Sequence, residues 1–121
     1  MAGPARLATT LVTGPGAGAR EAAIGARLAG VALSAAILEG LPDGQAGLMA
    51  SSTLILKRIA PACLCCTGNL VLRVTLNRLL RDRPGQLFIG LATQGHLDQL
   101  RSWLASPPYD QLLELMPDLA T

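Results

Sequence analysis

Residues Ala8 to Gly18 read ATTLVTGPGAG, and this stretch decides the fold. Thr9, Thr10, Val12 and Thr13 are β-branched, which favours the extended, pleated chain, so Ala8 to Thr13 is expected as a buried strand. Gly14-Pro15-Gly16 ends it, because this combination punctuates regular structure. Ala19 to Ala29 (AREAAIGARLA) then reads as a helix of strong formers, with Arg20, Glu21 and Arg27 on its wet side. A strand, a tight glycine-rich turn and a helix make the opening unit of a βαβ crossover.

The rest of the chain repeats that alternation. Val31 to Leu38 (VALSAAIL) is a second apolar run of strand length, followed by a turn at Leu41-Pro42-Asp43-Gly44. Thr53 to Ile59 (TLILKRI) gives a third strand, halted at Pro61. From Gly68 to Arg83, Leu72, Leu76, Leu79 and Leu80 recur at helical spacing while Arg73, Asn77 and Arg81 mark another face; this helix should stop before Pro84-Gly85. Gln86 to Ala92 is a fourth strand, and Leu97 to Leu104 a helix ended by Ser106-Pro107-Pro108. A short helical turn from Tyr109 to Leu115 is expected to close the chain. Such alternation predicts one small three-layer α/β domain over residues 1–121, with no second domain and a mostly parallel sheet of about four strands.

Composition narrows the function. Of 121 residues, 50% are hydrophobic and 15% charged, which excludes disorder as the state of the whole chain. Aromatics are 2%, namely Phe88, Trp103 and Tyr109, so the core is expected to be a thin layer of small aliphatic side chains. The longest apolar run, Leu28 to Leu38, is broken by Gly30 and Ser34 and is far shorter than the roughly 18 residues a membrane helix needs. No membrane association is expected, and a cytoplasmic location is. Net charge is +2, too small to demand nucleic acid. Arg73, Arg78, Arg81 and Arg83 cluster, but without aromatic stacking platforms they read as a solvated face.

Two local features carry chemistry. In Gly14-Pro15-Gly16-Ala17-Gly18, glycines let backbone N–H groups approach an anion at a helix start. A working phosphate loop also needs Gly-Lys-Ser/Thr, the lysine for the β- and γ-phosphates and the hydroxyl for magnesium. Here the turn is one residue short and Ala19, Arg20 and Glu21 follow, so Arg20 is the one cation on offer and Glu21 sets a negative charge nearby. Gly14, Gly16, Gly18 and Arg20 are the candidate cofactor-binding residues, set against a tight turn that binds nothing. The second feature is Cys63-Leu64-Cys65-Cys66, which holds every cysteine of the protein. Thiolates ligate soft and borderline metals, thiols near a helix start ionise readily, and three ligands leave a tetrahedral ion one open position. Cys63, Cys65 and Cys66 are therefore candidate ligands for zinc or a similar transition metal. Inert packing and thiol redox chemistry remain the alternatives, and His96, the one histidine, is a minor candidate for a fourth donor.

Ala60-Pro61-Ala62-Cys63-Leu64-Cys65-Cys66, between a strand and a Leu/Arg-rich helix, resembles the Gly-Cys-x-Cys-Cys metal motif of the CobW-like metallochaperone GTPases. Thr13 to Gly18 resembles that family's Thr-Gly-x-x-Gly-Ala-Gly-Lys-Thr loop with one residue deleted and the lysine and threonine lost. Arg83-Pro84 through Phe88-Ile89 is similar to its Arg-Pro-x-Leu-x-Ile-Glu strand, and Gly95-His96 falls where some members carry Gly-His. Residues 8 to 115 are covered. The resemblance implies a P-loop GTPase-like domain, and a family that binds GTP and magnesium to deliver zinc, cobalt or a similar ion to a recipient protein. Gly90 stands where the family has an acidic residue, and the Asn-Lys-x-Asp guanine signature is absent. Phosphoryl transfer rests on positioned cations and an oriented water, so catalysis of hydrolysis is not expected. The expected function is a non-enzymatic metal-handling module with GTP binding doubtful; the alternative is an interaction or oligomerisation module, including a homo-oligomer.

Overall fold

The β-branched run ahead of the glycines becomes an inner strand of a parallel sheet. The computed structural model describes residues 6–14, 16–28, 30–40, 48–59, 67–91 and 97–121. Its elements are β1 (Leu7–Thr13), α1 (Ala17–Gly25), β2 (Ser34–Glu39), β3 (Leu54–Ile59), α2 (Thr67–Arg81), β4 (Gln86–Gly90), α3 (Leu97–Leu104), α4 (Tyr109–Leu112), β5 (Leu113–Leu115) and β6 (Leu119–Ala120). The strand order is β3-β2-β4-β1-β5, with β6 also on β1, and every pairing between these strands is parallel. Parallel strands are buried on both faces, which explains why β2 reads as the unbroken apolar run Ala35-Ala36-Ile37-Leu38.

One face of the sheet packs under α2 and α3, where Leu72, Leu76, Leu79, Leu100 and Leu104 meet Ile37, Leu87 and Ile89. On the other face Ile24 of α1 covers Val12, Ala36, Leu54 and Phe88. The three layers follow from this alternation. The buried Thr9 hydroxyl donates to the Leu7 carbonyl at 3.0 Å, and the Gln86 amide donates to the buried Ser34 hydroxyl at 3.0 Å. Trp103 and Tyr109 pack with their rings tilted at 54° and 4.9 Å between centroids, with the Arg73 guanidinium 5.8 Å over the indole. The Tyr109 hydroxyl donates to the Asn77 side-chain oxygen at 2.8 Å, joining α4 to α2. Tyr109→Phe removes this bond and leaves Asn77 facing water. It is expected to lower stability by about 1 kcal/mol, read from the midpoint of urea unfolding.

Local pattern and structure part company at three places. The first helix ends at Gly25 rather than Ala29, and Gly30 at φ 85° turns the chain toward β2. The helix α2 ends at Arg81, and Arg83 adopts φ 52°, a left-handed conformation at the exit of the helix. The expected helical turn from Tyr109 to Leu115 stops at Leu112; Leu113–Leu115 and Leu119–Ala120 are strands, so six strands are seen among the described residues instead of about four. The reason is the outer edge of β1, whose backbone groups need partners. Leu7 pairs with Leu113 and Val12 with Leu119, so five steps along β1 face six along β5 and β6. The extra residue is a bulge at the segment containing Pro117, which has no N–H for the ladder.

Candidate functional site

Because the strands are parallel, Thr13, Glu39, Ile59 and Gly90 end on the same edge of the sheet. After β1 the chain turns to α1 on one face, whereas β4 is followed by α3 on the other. Neighbouring strands whose connections diverge open a crevice at their carboxyl ends, the usual ligand position in open α/β sheets. The glycine-rich turn lies at this crevice.

Gly14 has φ 151°, and a Cβ built there would fall 1.9 Å from the Thr121 hydroxyl oxygen. Thr121 is docked on the turn, its N–H and its hydroxyl both donating to the Thr13 carbonyl at 2.9 Å. Gly16 is extended, at φ −115° and ψ 136°, and its carbonyl accepts the first helical bond of α1 from Arg20 N–H at 3.1 Å. Gly18 lies in the first turn of α1, which carries no acidic residue. Arg20, expected as the cation facing a ligand, is 6% exposed, and its guanidinium donates to the Gly14 carbonyl. The arginine thus closes the turn on itself.

Glu21, read from the sequence as a negative charge beside any phosphate, is 3% exposed and engaged elsewhere. Its carboxylate accepts from Arg58 of β3 at 2.9 and 3.2 Å and from the Leu48 N–H at 2.8 Å. Glu21 therefore ties the second turn of α1 to the far strand of the sheet. Gly90, where an acidic residue would be expected from the resemblance, is buried, and a Cβ there would lie 3.0 Å from Leu38 Cδ2. Leu38 fills the space such a side chain would take. Arg58 was not singled out from sequence, since its partner is 37 residues away and no local spacing connects them.

Cys63, Cys65, Cys66 and His96 lie outside the described residues. Their segments begin beyond Ile59 of β3 and beyond Leu91, which follows β4. Among the described residues no group of three His, Cys, Asp or Glu side chains is placed to hold a metal ion. No helix among them is long and apolar enough to cross a membrane.

A parallel three-layer sheet whose first strand runs through a glycine-rich turn into a helix defines a small Rossmann- or P-loop-like α/β domain. The chain is similar to the zinc chaperone YeiR of Escherichia coli (strain K12), 37% identical over 73 residues. That alignment takes in 60% of this chain and 22% of the relative, so the chain spans about a fifth of that protein. The similarity supports a relationship with CobW-like metallochaperones. No family model and no solved structure matches the chain.

Proposed function

We propose that this chain is a metal-handling domain that holds one zinc-type ion through Cys63, Cys65 and Cys66 and releases it to a recipient protein. The observation that carries the reading is the 37% identity with a zinc chaperone, joined to the Cys-x-Cys-Cys spacing in the segment between β3 and α2. Thiolate sulfur suits zinc, and three such ligands leave the fourth tetrahedral position for a donor from the recipient. Exchange then proceeds by ligand replacement, in which the incoming donor occupies the open position before a cysteine lets go.

The role proposed for Gly14, Gly16, Gly18 and Arg20 is a cradle that has kept its backbone shape and lost its phosphate chemistry. Arg20 spends its guanidinium on the Gly14 carbonyl, and neither lysine nor hydroxyl follows Gly18. GTP is accordingly not part of the proposed cycle. The protein purified under reducing conditions without chelator is expected to carry or take up about one zinc per chain, measured by elemental analysis and by competition with a chromophoric chelator. Cys63→Ser/Cys65→Ser should lose that zinc with an unchanged far-ultraviolet dichroism spectrum. A wild-type chain that refuses added zinc, or a double variant that binds it as well, would overturn the reading.

A further inference from the structure

At the opposite edge of the sheet from the glycine-rich turn, where β1 and β4 begin and α2 ends, lies an open cavity of about 540 Å³. Leu7, Leu80, Pro84 and Leu112 make an apolar wall, and the ionisable side chains on it among the described residues are two arginines, Arg6 and Arg83. The volume is in the range of small-molecule sites, and a few polar groups on an apolar wall is how such sites are built. Neither guanidinium forms an ion pair among the described residues. Arg6 reaches the Asp110 backbone carbonyl at 3.4 Å, a long contact, and Arg83 has no side-chain hydrogen bond there.

The backbone presenting Arg83 is firmly held. Asp82 N–H donates to the Leu79 carbonyl at 3.0 Å and Gly85 N–H to the Leu33 carbonyl at 2.7 Å. A Cβ on Gly85 would fall 2.9 Å from Val31 Cγ1, so the turn fits closely against the segment that leads into β2. In this pinned turn an arginine occupies φ 52°, a conformation that glycine would adopt without strain. Two cations without carboxylate partners among the described residues, one on a strained and fixed turn, stand beside a leucine wall that runs from buried Leu7 through half-buried Leu80 to exposed Leu112. Asp82, next to Arg83 in the chain, and Asp110, two residues before Leu112, do not line the cavity.

We infer that this cavity binds a small amphiphilic oxyanion, its head between Arg6 and Arg83 and its apolar body against Leu7, Leu80 and Leu112. Guanidinium forks suit carboxylate and phosphate oxygens alike, so the class is an apolar chain or ring ending in either group. The inference does not depend on metal binding.

The test is calorimetric titration of the whole chain with four probes: octanoate, octyl phosphate, octanol and inorganic phosphate. Octanoate or octyl phosphate should bind, and whichever is tighter identifies the head group. Octanol lacks the charge and inorganic phosphate lacks the body, and each should bind at least tenfold more weakly. Arg83→Gly relieves the positive φ, so it should melt at the wild-type temperature or above while losing at least tenfold in affinity; Arg6→Ala should lose a similar factor. Absence of binding by both amphiphiles, equal binding of octanol, or full affinity in Arg83→Gly would overturn the inference.

Discussion

Glu21→Ala should destabilise the protein by about 3 kcal/mol, far more than one surface ion pair is worth. The carboxylate is 3% exposed and accepts hydrogen bonds from Arg58, at both oxygens, and from the Leu48 N–H. Removing it strands both donors. Breaking a buried pair from one side costs about 3–5 kcal/mol, because the surviving charge stays desolvated. Arg58 is 25% exposed and can recover some water, which puts its share at the lower end. Orphaning the Leu48 N–H works in the other direction, by about 1–3 kcal/mol where water cannot reach it. The measurement is a urea midpoint at unchanged m, with Arg58→Ala and the double variant completing a cycle. The double variant should lose less than the sum of the singles, since the penalty of a lone charge disappears with its partner. Strict additivity, or a loss below about 1 kcal/mol for Glu21→Ala, would show that the pair does not clamp α1 to β3.

That clamp bears on the site as well as on stability. The glycine-rich turn leads directly into α1, and Glu21 is the residue that fixes the first turns of α1 over the sheet. Arg20 and Glu21 are consecutive, yet one points its charge back to the Gly14 carbonyl and the other across to β3. Both charges are therefore met by partners inside the protein, one on the turn and one on the sheet. In the sequence Arg20 reads as a cation on offer, because spacing reports proximity along the chain and not which acceptor wins. A buried guanidinium must satisfy its donors, and the carbonyl that accepts from it is six residues back.

The elements legible in the sequence are those defined by their own local pattern. The helix from Leu97 to Leu104 has the expected bounds, and β4 starts at the expected Gln86, because Pro and Gly punctuation and apolar period agree there. Residues 113–115 are different. Three residues are too few for a period, and their strand state is selected by the open side of β1, more than a hundred positions earlier. The same holds for the cavity between Arg6 and Arg83, which joins the beginning of β1 to the exit of α2. In both cases the deciding partner is remote in sequence, and no window of residues contains it. The glycine-rich turn was legible as a turn, while the docking of Thr121 against Gly14 had no signal in either segment.

Leu76→Ala on α2 should cost about 3–4 kcal/mol, whereas Leu70→Ala on the same helix should change stability by less than about 0.5 kcal/mol. Leu72, Leu76 and Leu79 are spaced to face the sheet, and Leu76 is wholly buried in the cluster with Ile37, Leu87, Ile89 and Leu100. Leu70, Val71 and Val74 lie on the outer side and are exposed. The cost of a large-to-small change depends on how far neighbours collapse into the space. Here the neighbours are short and branched, and the strands beneath are fixed on both sides by parallel ladders, so little collapse is available. A loss of that size is a large part of the roughly 5–15 kcal/mol that holds a domain together, and for this length it corresponds to a fall of about 10 °C or more in melting temperature. Thermal melts followed by dichroism separate the two variants directly. Equal losses at positions 70 and 76 would mean that α2 does not rest on the sheet through the leucine face, and the whole layer above β2 and β4 would have to be redrawn.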